Sequence, residues 1–181
     1  NSGADTFAFG TTGADTVNAI KQANEFNLGA QGRRLVVPNI FLPDIHTLGL
    51  PTAQGLYVIA GFYWDENPAS RAFAKRFFAI RQRMPTKSQA DAYAATRHYL
   101  RAVKALGSTD GPAIGRAMRR MPGDFFGQTV HIRANGRVLY DLTLWQVKSP
   151  AESKYPWDYY KPVQRIAGKD AFGPDTADCT R

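Results

Sequence analysis

The sequence predicts an α/β fold with an open, mainly parallel sheet and flanking helices, followed by a helical segment and a C-terminal β-hairpin. Three observations support this class. Short apolar runs alternate with helical periodicity at first, apolar residues then recur every three to four positions, and an Asn-Gly pair later separates two alternating runs. With 181 residues and 44% hydrophobic composition, the chain is long enough to bury a sizeable core.

The first third of the chain predicts three neighbouring parallel strands, at residues 6–10, 35–38 and 56–62. Between the first two strands we expect a helix over residues 16–28, with Asp15 as its N-cap and Gly29 at its end. Its apolar positions recur at helical spacing: Val17, Ile20, Ala23 and Phe26. Residues 39–55 predict a loop with a short helix. Such connections form right-handed crossovers between parallel strands.

Beyond Asp65 the pattern is helical. Two helices are predicted from apolar faces that comprise Ala69, Phe73, Phe77, Ile80 and Met84, and then Tyr93, Thr96, Leu100 and Val103. A shorter helix follows with Ile114 and Met118. Asn135-Gly136 then predicts a hairpin, because both residues tolerate a positive φ. The residues from Ser149 onward predict irregular structure.

Basic residues are concentrated in residues 71–120, which hold twelve Lys and Arg against two Asp, in a chain of net charge +8. Such a block attracts phosphates or an acidic partner, so a nucleic-acid or acidic-partner binding domain is an alternative function. The basic residues fall between apolar positions on predicted helices, which favours solvated helix faces. The sequence also lacks RNP-type aromatic motifs and a recognition-helix pattern, and we therefore expect no nucleic-acid partner.

Catalytic motifs are missing from the sequence. It contains no G-x-S-x-G, no H-E-x-x-H and no Gly-Lys phosphate loop, and His46, His98 and His131 have no metal-ligand spacing. We expect no enzymatic activity, no cofactor and no metal. An unrecognised hydrolase stays open as an alternative, because catalytic triads are assembled in space rather than in sequence. Cys179 is the single cysteine, which excludes an internal disulfide in this sequence.

Four segments appear in an order that resembles the C-terminal half of type I periplasmic substrate-binding proteins of branched-chain amino-acid ABC transporters. They are SGADTFAFGTTGADTVNAIKQANEF, LGLPTAQGLYVIAGFYWD, ADAYAATRHYLRAVKALGSTDG and FGQTVHIRANGRVLYDLTLWQVKSPAESKYPWDYY. The final WDYY stretch is similar to the subset of this family that is associated with aromatic acids. The resemblance covers nearly the whole chain.

The resemblance implies one half of a two-lobed protein that binds its ligand between hinged lobes. Residues 1–65 and 138–165 would belong to the second lobe, residues 66–137 would return to the first lobe, and residues 166–181 would form an irregular tail. The implied function is the capture of a small carboxylate for the membrane permease of an ABC importer. An aromatic or other organic acid is favoured over a branched-chain amino acid. The implied location is periplasmic, with an export signal upstream of Asn1.

The first candidate site is the loop Thr11-Thr12-Gly13, which follows the first predicted strand and precedes a predicted helix. Ligands of open α/β sheets lie at such strand ends, where hydroxyls, free N–H groups and the helix dipole favour a carboxylate. An ordinary βα turn is the alternative interpretation of this loop.

Aromatic and polar residues at two further positions complete the candidate site. Phe41 is expected to pack a ligand ring or side chain, and Asp44 or His46 to supply a polar contact. Tyr63 and Trp64, at the expected hinge, are candidates for stacking on a ligand. A surface position for His46 and core packing for the aromatic residues are the alternatives.

The helices of residues 66–137 also predict self-association. If the first half of the family fold is absent, their apolar faces lack the sheet that they would cover. The residues concerned are Phe73, Phe77, Leu100 and Val103. Exposed apolar area of that size is rarely found in a monomer, so the isolated chain is expected to form a homodimer.

Overall fold

The computed structural model describes residues 3–29 and 32–174. Its elements in chain order are β1 (Thr6–Ala8), α1 (Gly13–Glu25), β2 (Arg34–Val36), α2 (Leu42–Leu48), α3 (Leu50–Ala53), β3 (Tyr57–Ala60), α4 (Pro68–Arg81), α5 (Lys87–Leu106), α6 (Gly111–Arg120), β4 (Gly123–Phe125), β5 (Gln128–Ile132), β6 (Val138–Leu139), β7 (Leu142–Val147), β8 (Tyr160–Ile166) and α7 (Gly168–Ala171). Among the described residues, every helix is too short or too polar to cross a bilayer.

The larger sheet has five strands in the order β1-β2-β3-β7-β8. The first three are parallel neighbours, which confirms the prediction for the first third of the chain. Strand β7 pairs antiparallel with both β3 and β8, so four of the five strands run in the same direction. The mainly parallel α/β class is therefore confirmed.

The main core lies on one face of this sheet. Inward-facing residues of β3 and β7, among them Val58 and Trp145, pack against helices α1 to α3, which contribute Ile20 and Ile45. All four side chains are at most 3% exposed. Alternating burial along β3 and β7 shows that these strands bury one face and leave the other half-exposed.

Helix α1 begins three residues earlier than predicted. Gly13 has a φ of +61°, a left-handed value that glycine adopts without steric cost, and Thr12 stands before it as the N-cap. The prediction that Asp15 is the N-cap is wrong. Asp15 lies inside the first turn, where its carboxylate is placed favourably near the positive end of the helix dipole.

The predicted end of α1 at Gly29 is also wrong. Asn27 adopts a left-handed φ of 50°, and the N–H of Leu28 donates to the carbonyl of Ala23 at 2.9 Å. This arrangement satisfies a carbonyl of the last turn, so the helix already ends at Glu25.

Helices α4, α5 and α6 pack with the antiparallel sheet β4-β5-β6 around a second core. The predicted buried face of α5 is wrong, because the buried residues are Ala90, His98 and Ala102, whereas Leu100 is 56% exposed. Small side chains allow α5 to approach its neighbours closely, and of the predicted face Tyr93 still contacts the Phe73 ring.

The expected homodimer finds no support in this arrangement. Of the four residues expected to form an uncovered apolar face, Phe73 is buried in the second core, where its ring contacts Phe62 and Phe126. Phe77 also packs against this core. Phe73 and Phe77 are therefore used inside the chain, whereas Leu100 stays exposed.

The predicted hairpin is confirmed. Strands β5 and β6 pair antiparallel around Asn135-Gly136, where Gly136 has a φ of +84°. The following apolar run is divided, since β6 stays in the small sheet while β7 joins the large one. The chain thus passes from one sheet to the other at Tyr140 and Asp141.

The prediction of irregular structure after Ser149 is wrong for residues 160–171. Strand β8 pairs along its length with β7, and α7 follows it. Four of the seven residues of β8 are exposed, so the strand forms the edge of the sheet and shows no apolar alternation. Cys179 lies outside the described residues.

Candidate functional site

The carboxyl ends of three parallel strands meet at one edge of the large sheet. The loops that leave this edge are residues 9–12 after β1, 37–41 after β2 and 61–67 after β3. Open α/β sheets bind ligands outside the carboxyl ends of their strands. We refer to these three loops as the strand-end site.

Exposed hydroxyls and a helix N-terminus lie at the β1 side of the strand-end site. Thr11, Thr12 and Gly13 are exposed. Thr11 Oγ1 lies 2.9 Å from Oγ1 of the buried Thr16, which fixes the orientation of the loop. The Thr12 side chain makes no capping hydrogen bond to the first turn of α1. The first N–H groups of the helix are thus left without a side-chain cap from Thr12.

Phe41 and Asp44 lie together at the start of α2, on the β2 side of the strand-end site. Phe41 is half-buried and forms the N-cap position of the helix. Asp44 Oδ2 accepts a hydrogen bond of 2.9 Å from the Phe41 backbone N–H. One oxygen of this carboxylate therefore stabilises the helix start.

His46, Tyr63 and Trp64 converge on the segment that contains Trp157 and Tyr159. The His46 ring stacks on Trp157 at a centroid distance of 4.1 Å, and its Nδ1 lies 2.6 Å from the Tyr159 hydroxyl. The Tyr63 hydroxyl donates to the Trp157 carbonyl at 3.0 Å, and Trp64 Nε1 donates to the same oxygen at 2.9 Å. Each of the three candidates thus has at least one polar side-chain atom with a partner within the chain.

Tyr63 is the most buried of these candidates, with 4% of its surface exposed. Its hydroxyl also accepts from the backbone N–H of Tyr159 at 3.0 Å. Burial raises the pKa of Tyr63 well above its ordinary range, so the phenol stays neutral. The structure thus gives Tyr63 a packing environment and leaves its hydroxyl directed at the backbone of residues 157–160.

Lys87 lies beside the strand-end site and was not among the residues predicted from the sequence. It lies in the first turn of α5, and its ammonium donates to the Pro38 carbonyl at 2.9 Å and to the Ile59 carbonyl at 3.4 Å. The ammonium also lies 5.7 Å from the centroid of the Phe41 ring. Burial lowers the pKa of Lys87, and the negative charge of Asp91 opposes that effect. The sequence pattern around Lys87 indicates only the start of a helix.

Metal ligands are not clustered in the described part of the chain, where no group of three or more His, Cys, Asp or Glu side chains could hold an ion. The strand-end site and its immediate surroundings offer hydroxyls, backbone N–H groups, the Phe41 ring, the Lys87 ammonium and the carboxylates of Asp44, Asp65 and Glu66.

A family model described as periplasmic binding protein matches residues 1–154. The chain belongs to the periplasmic binding protein family. Among curated protein sequences, none is significantly similar to it.

Solved structures of periplasmic binding proteins share the fold. One from Burkholderia mallei is 41% identical with a TM-score of 0.87, and the alignment covers 94% of this chain and 45% of that one. A branched chain amino acid ABC transporter periplasmic ligand-binding protein from Burkholderia xenovorans LB400 is 36% identical with a TM-score of 0.82, covering 93% and 45%. This periplasmic binding protein chain thus spans about half the length of these relatives.

A more distant structure is an ABC transporter solute binding protein from R. palustris in complex with 4-hydroxybenzoate. It is 20% identical with a TM-score of 0.77, and the alignment covers 92% of this chain and 46% of that one. At this identity the similarity shows the fold alone.

The basic segment 71–120 lies inside the matched family region. Two of its arginines form surface ion pairs, Arg71 with Asp65 at 3.1 Å and Arg97 with Asp124. These contacts favour solvated helix faces over a phosphate-binding surface.

Proposed function

We propose that this periplasmic binding protein chain is part of the extracytoplasmic solute-binding component of an ABC importer. Its strand-end site would form one side of the solute-binding cleft. The ligand is a small carboxylate, held between two hinged lobes and delivered to a membrane permease. The observation that carries the proposal is that the exposed Thr11–Gly13 loop, with its uncapped helix N-terminus, and the half-buried Phe41 follow the carboxyl ends of two adjacent parallel strands.

The two sheets support a division into lobes. Residues 1–65 and 138–165 form the second lobe in this proposal, and residues 66–137 return to the first lobe. The two hinge crossings then lie at residues 63–65 and 138–140, close to where the chain changes sheets. Periplasmic location is part of the same proposal and is supported by the location that the names of the relatives give.

The ligand class proposed is an aromatic or other organic acid, with a branched-chain amino acid as the second choice. An amino-acid ligand needs an acidic partner for its ammonium, and Asp44 already accepts from the Phe41 N–H. An organic acid needs only donors and an apolar wall, which the Thr11–Gly13 loop and Phe41 supply. A relative with this fold was solved with 4-hydroxybenzoate, which agrees with that choice.

The test removes both hydroxyls from the loop. In the complete gene product that carries this chain, calorimetry measures binding of benzoate, 4-hydroxybenzoate and leucine. Thr11→Ala combined with Thr12→Ala should weaken binding of the tightest acid by about 1 to 3 kcal/mol, roughly 5- to 150-fold in Kd, because ligand atoms enclosed between the lobes lose their hydrogen-bond partners. Backbone N–H donors remain, so some affinity is retained.

The matched control is Thr129→Ala, an exposed threonine of β5 in the other sheet, which should leave the affinity unchanged. Unchanged affinity in the double variant would remove the two hydroxyls from the site. No binding of any acid by the unaltered protein would contradict the proposed function itself.

A further inference from the structure

The ammonium of Lys87 occupies an unusual place, because it reaches from the helical segment to the edge of the other sheet. Its two acceptors are the carbonyl of Pro38, just beyond β2, and the carbonyl of Ile59, near the end of β3. A positive charge is thereby held at the strand-end site by backbone dipoles of two adjacent strands.

The charge of Lys87 is not neutralised by an ion pair within the described part of the chain, where the salt bridges involve other cations. A lysine ammonium has three N–H donors, and the two carbonyl oxygens use two of them. Asp91, one turn further along α5, acts on it only through space. One N–H donor therefore remains for another partner.

Space for such a partner lies directly beside the ammonium. A cavity of about 240 Å³ is lined by Lys87, Ser88 and Asp91 from α5 and by Gly61 and Tyr140 from the sheet crossings. Drug-sized ligands occupy larger pockets, of roughly 300 Å³ or more, so this volume suits a small molecule.

We infer that Lys87 is the residue that recognises the charge of the ligand: its free N–H and positive charge pair with a ligand carboxylate, so that the site selects small organic anions over neutral analogues of the same shape. The inference rests on the proposed function and deepens it. Thr11 and Thr12 then hydrogen-bond polar atoms, Phe41 packs the apolar part, and Lys87 supplies the charge complementarity. A charge-assisted hydrogen bond of this kind is stronger than one between neutral groups.

The alternative role for Lys87 is a tether that only fixes α5 to the sheet. The two roles differ in one measurable quantity, the ratio of affinities for an acid and for its primary amide. A tether affects both ligands equally, whereas a charge-recognising residue affects the acid alone.

The experiment measures this ratio by calorimetry on the complete gene product. The probes are benzoate with benzamide, 4-hydroxybenzoate with 4-hydroxybenzamide and leucine with leucinamide. For the acid that binds tightest, Lys87→Met should raise Kd roughly 10- to 150-fold, and the Kd of its amide should change less than about twofold. Lys87→Arg keeps the charge and should retain part of the preference. Lys104→Met, an exposed lysine near the end of the same helix, is the control and should change neither affinity.

An unaltered protein that binds the amide as tightly as the acid overturns the inference without any variant, which keeps the test decisive if Lys87→Met does not fold. Acid affinity that survives Lys87→Met, or falls equally in Lys104→Met, also overturns it while leaving the proposed function intact. Failure of the unaltered protein to bind any acid contradicts the proposed function and removes the basis of the inference with it.

Discussion

Replacing Tyr63 by Phe tests whether the Tyr63 hydroxyl stabilises the segment around Trp157 or binds the ligand. The variant deletes a hydroxyl that donates to the Trp157 carbonyl and accepts from the Tyr159 N–H, in a side chain that is 4% exposed. Leaving a buried backbone group without its partner costs about 1 to 3 kcal/mol. The Trp157 carbonyl keeps Trp64 as a donor, so we expect a loss of about 1 to 2 kcal/mol in the free energy of unfolding.

Tryptophan fluorescence during urea unfolding is the appropriate assay. Trp64 and Trp157 share the hydrogen-bonded cluster with Tyr63, and Trp145 lies 5.1 Å from the Tyr63 ring, so all three tryptophans report on it. The control is Tyr99→Phe, which alters an exposed side chain on α5 and should cost less than about 0.5 kcal/mol. Equal effects of the two variants would refute the packing role. A large loss of ligand affinity with unchanged stability would assign Tyr63 to the ligand instead.

Two further predictions concern stability and are measured by the same unfolding assay. Gly168→Ala should destabilise the protein by about 1 to 3 kcal/mol, because the new Cβ would meet the Tyr140 backbone oxygen at 2.8 Å. The control, Gly115→Ala inside α6, should stabilise the protein by up to about 1 kcal/mol. A Gly168→Ala variant as stable as the unaltered protein would contradict this packing. Lys148→Met should cost about 3 kcal/mol or more, because it leaves the Asp158 carboxylate, 2% exposed, without its cation, and a cost below about 1 kcal/mol would show that the pair is dispensable.

The sequence predicted those features that depend on local periodicity. Short apolar runs with a helix between them imply parallel crossovers, and Asn135-Gly136 implies a tight turn, so the sheet β1-β2-β3 and the hairpin could be derived. Strand β8 was missed because it is an exposed edge that contains Pro162 and has no apolar alternation. The buried face of α5 was missed because Ala90 and Ala102 carry little hydrophobic signal, although small residues permit close packing.

Some residues of the candidate site could likewise be predicted from the sequence, whereas others could not. The Thr11–Gly13 loop follows from topology, because a loop after a parallel strand must leave at the carboxyl edge. The contacts of His46 with Tyr159 and of Lys87 with Pro38 join residues that are 113 and 49 positions apart, and no local pattern encodes them. Lys87 could be found only once the helical segment was placed against the sheet.

A crystal structure of the complete gene product with the organic acid that it binds tightest tests the central claim most directly. The account predicts that the ligand lies at the carboxyl ends of β1, β2 and β3, with its carboxylate at Lys87 and its remaining part directed to Phe41 and the Thr11–Gly13 loop. A ligand bound elsewhere, with this edge occupied only by solvent, would contradict it.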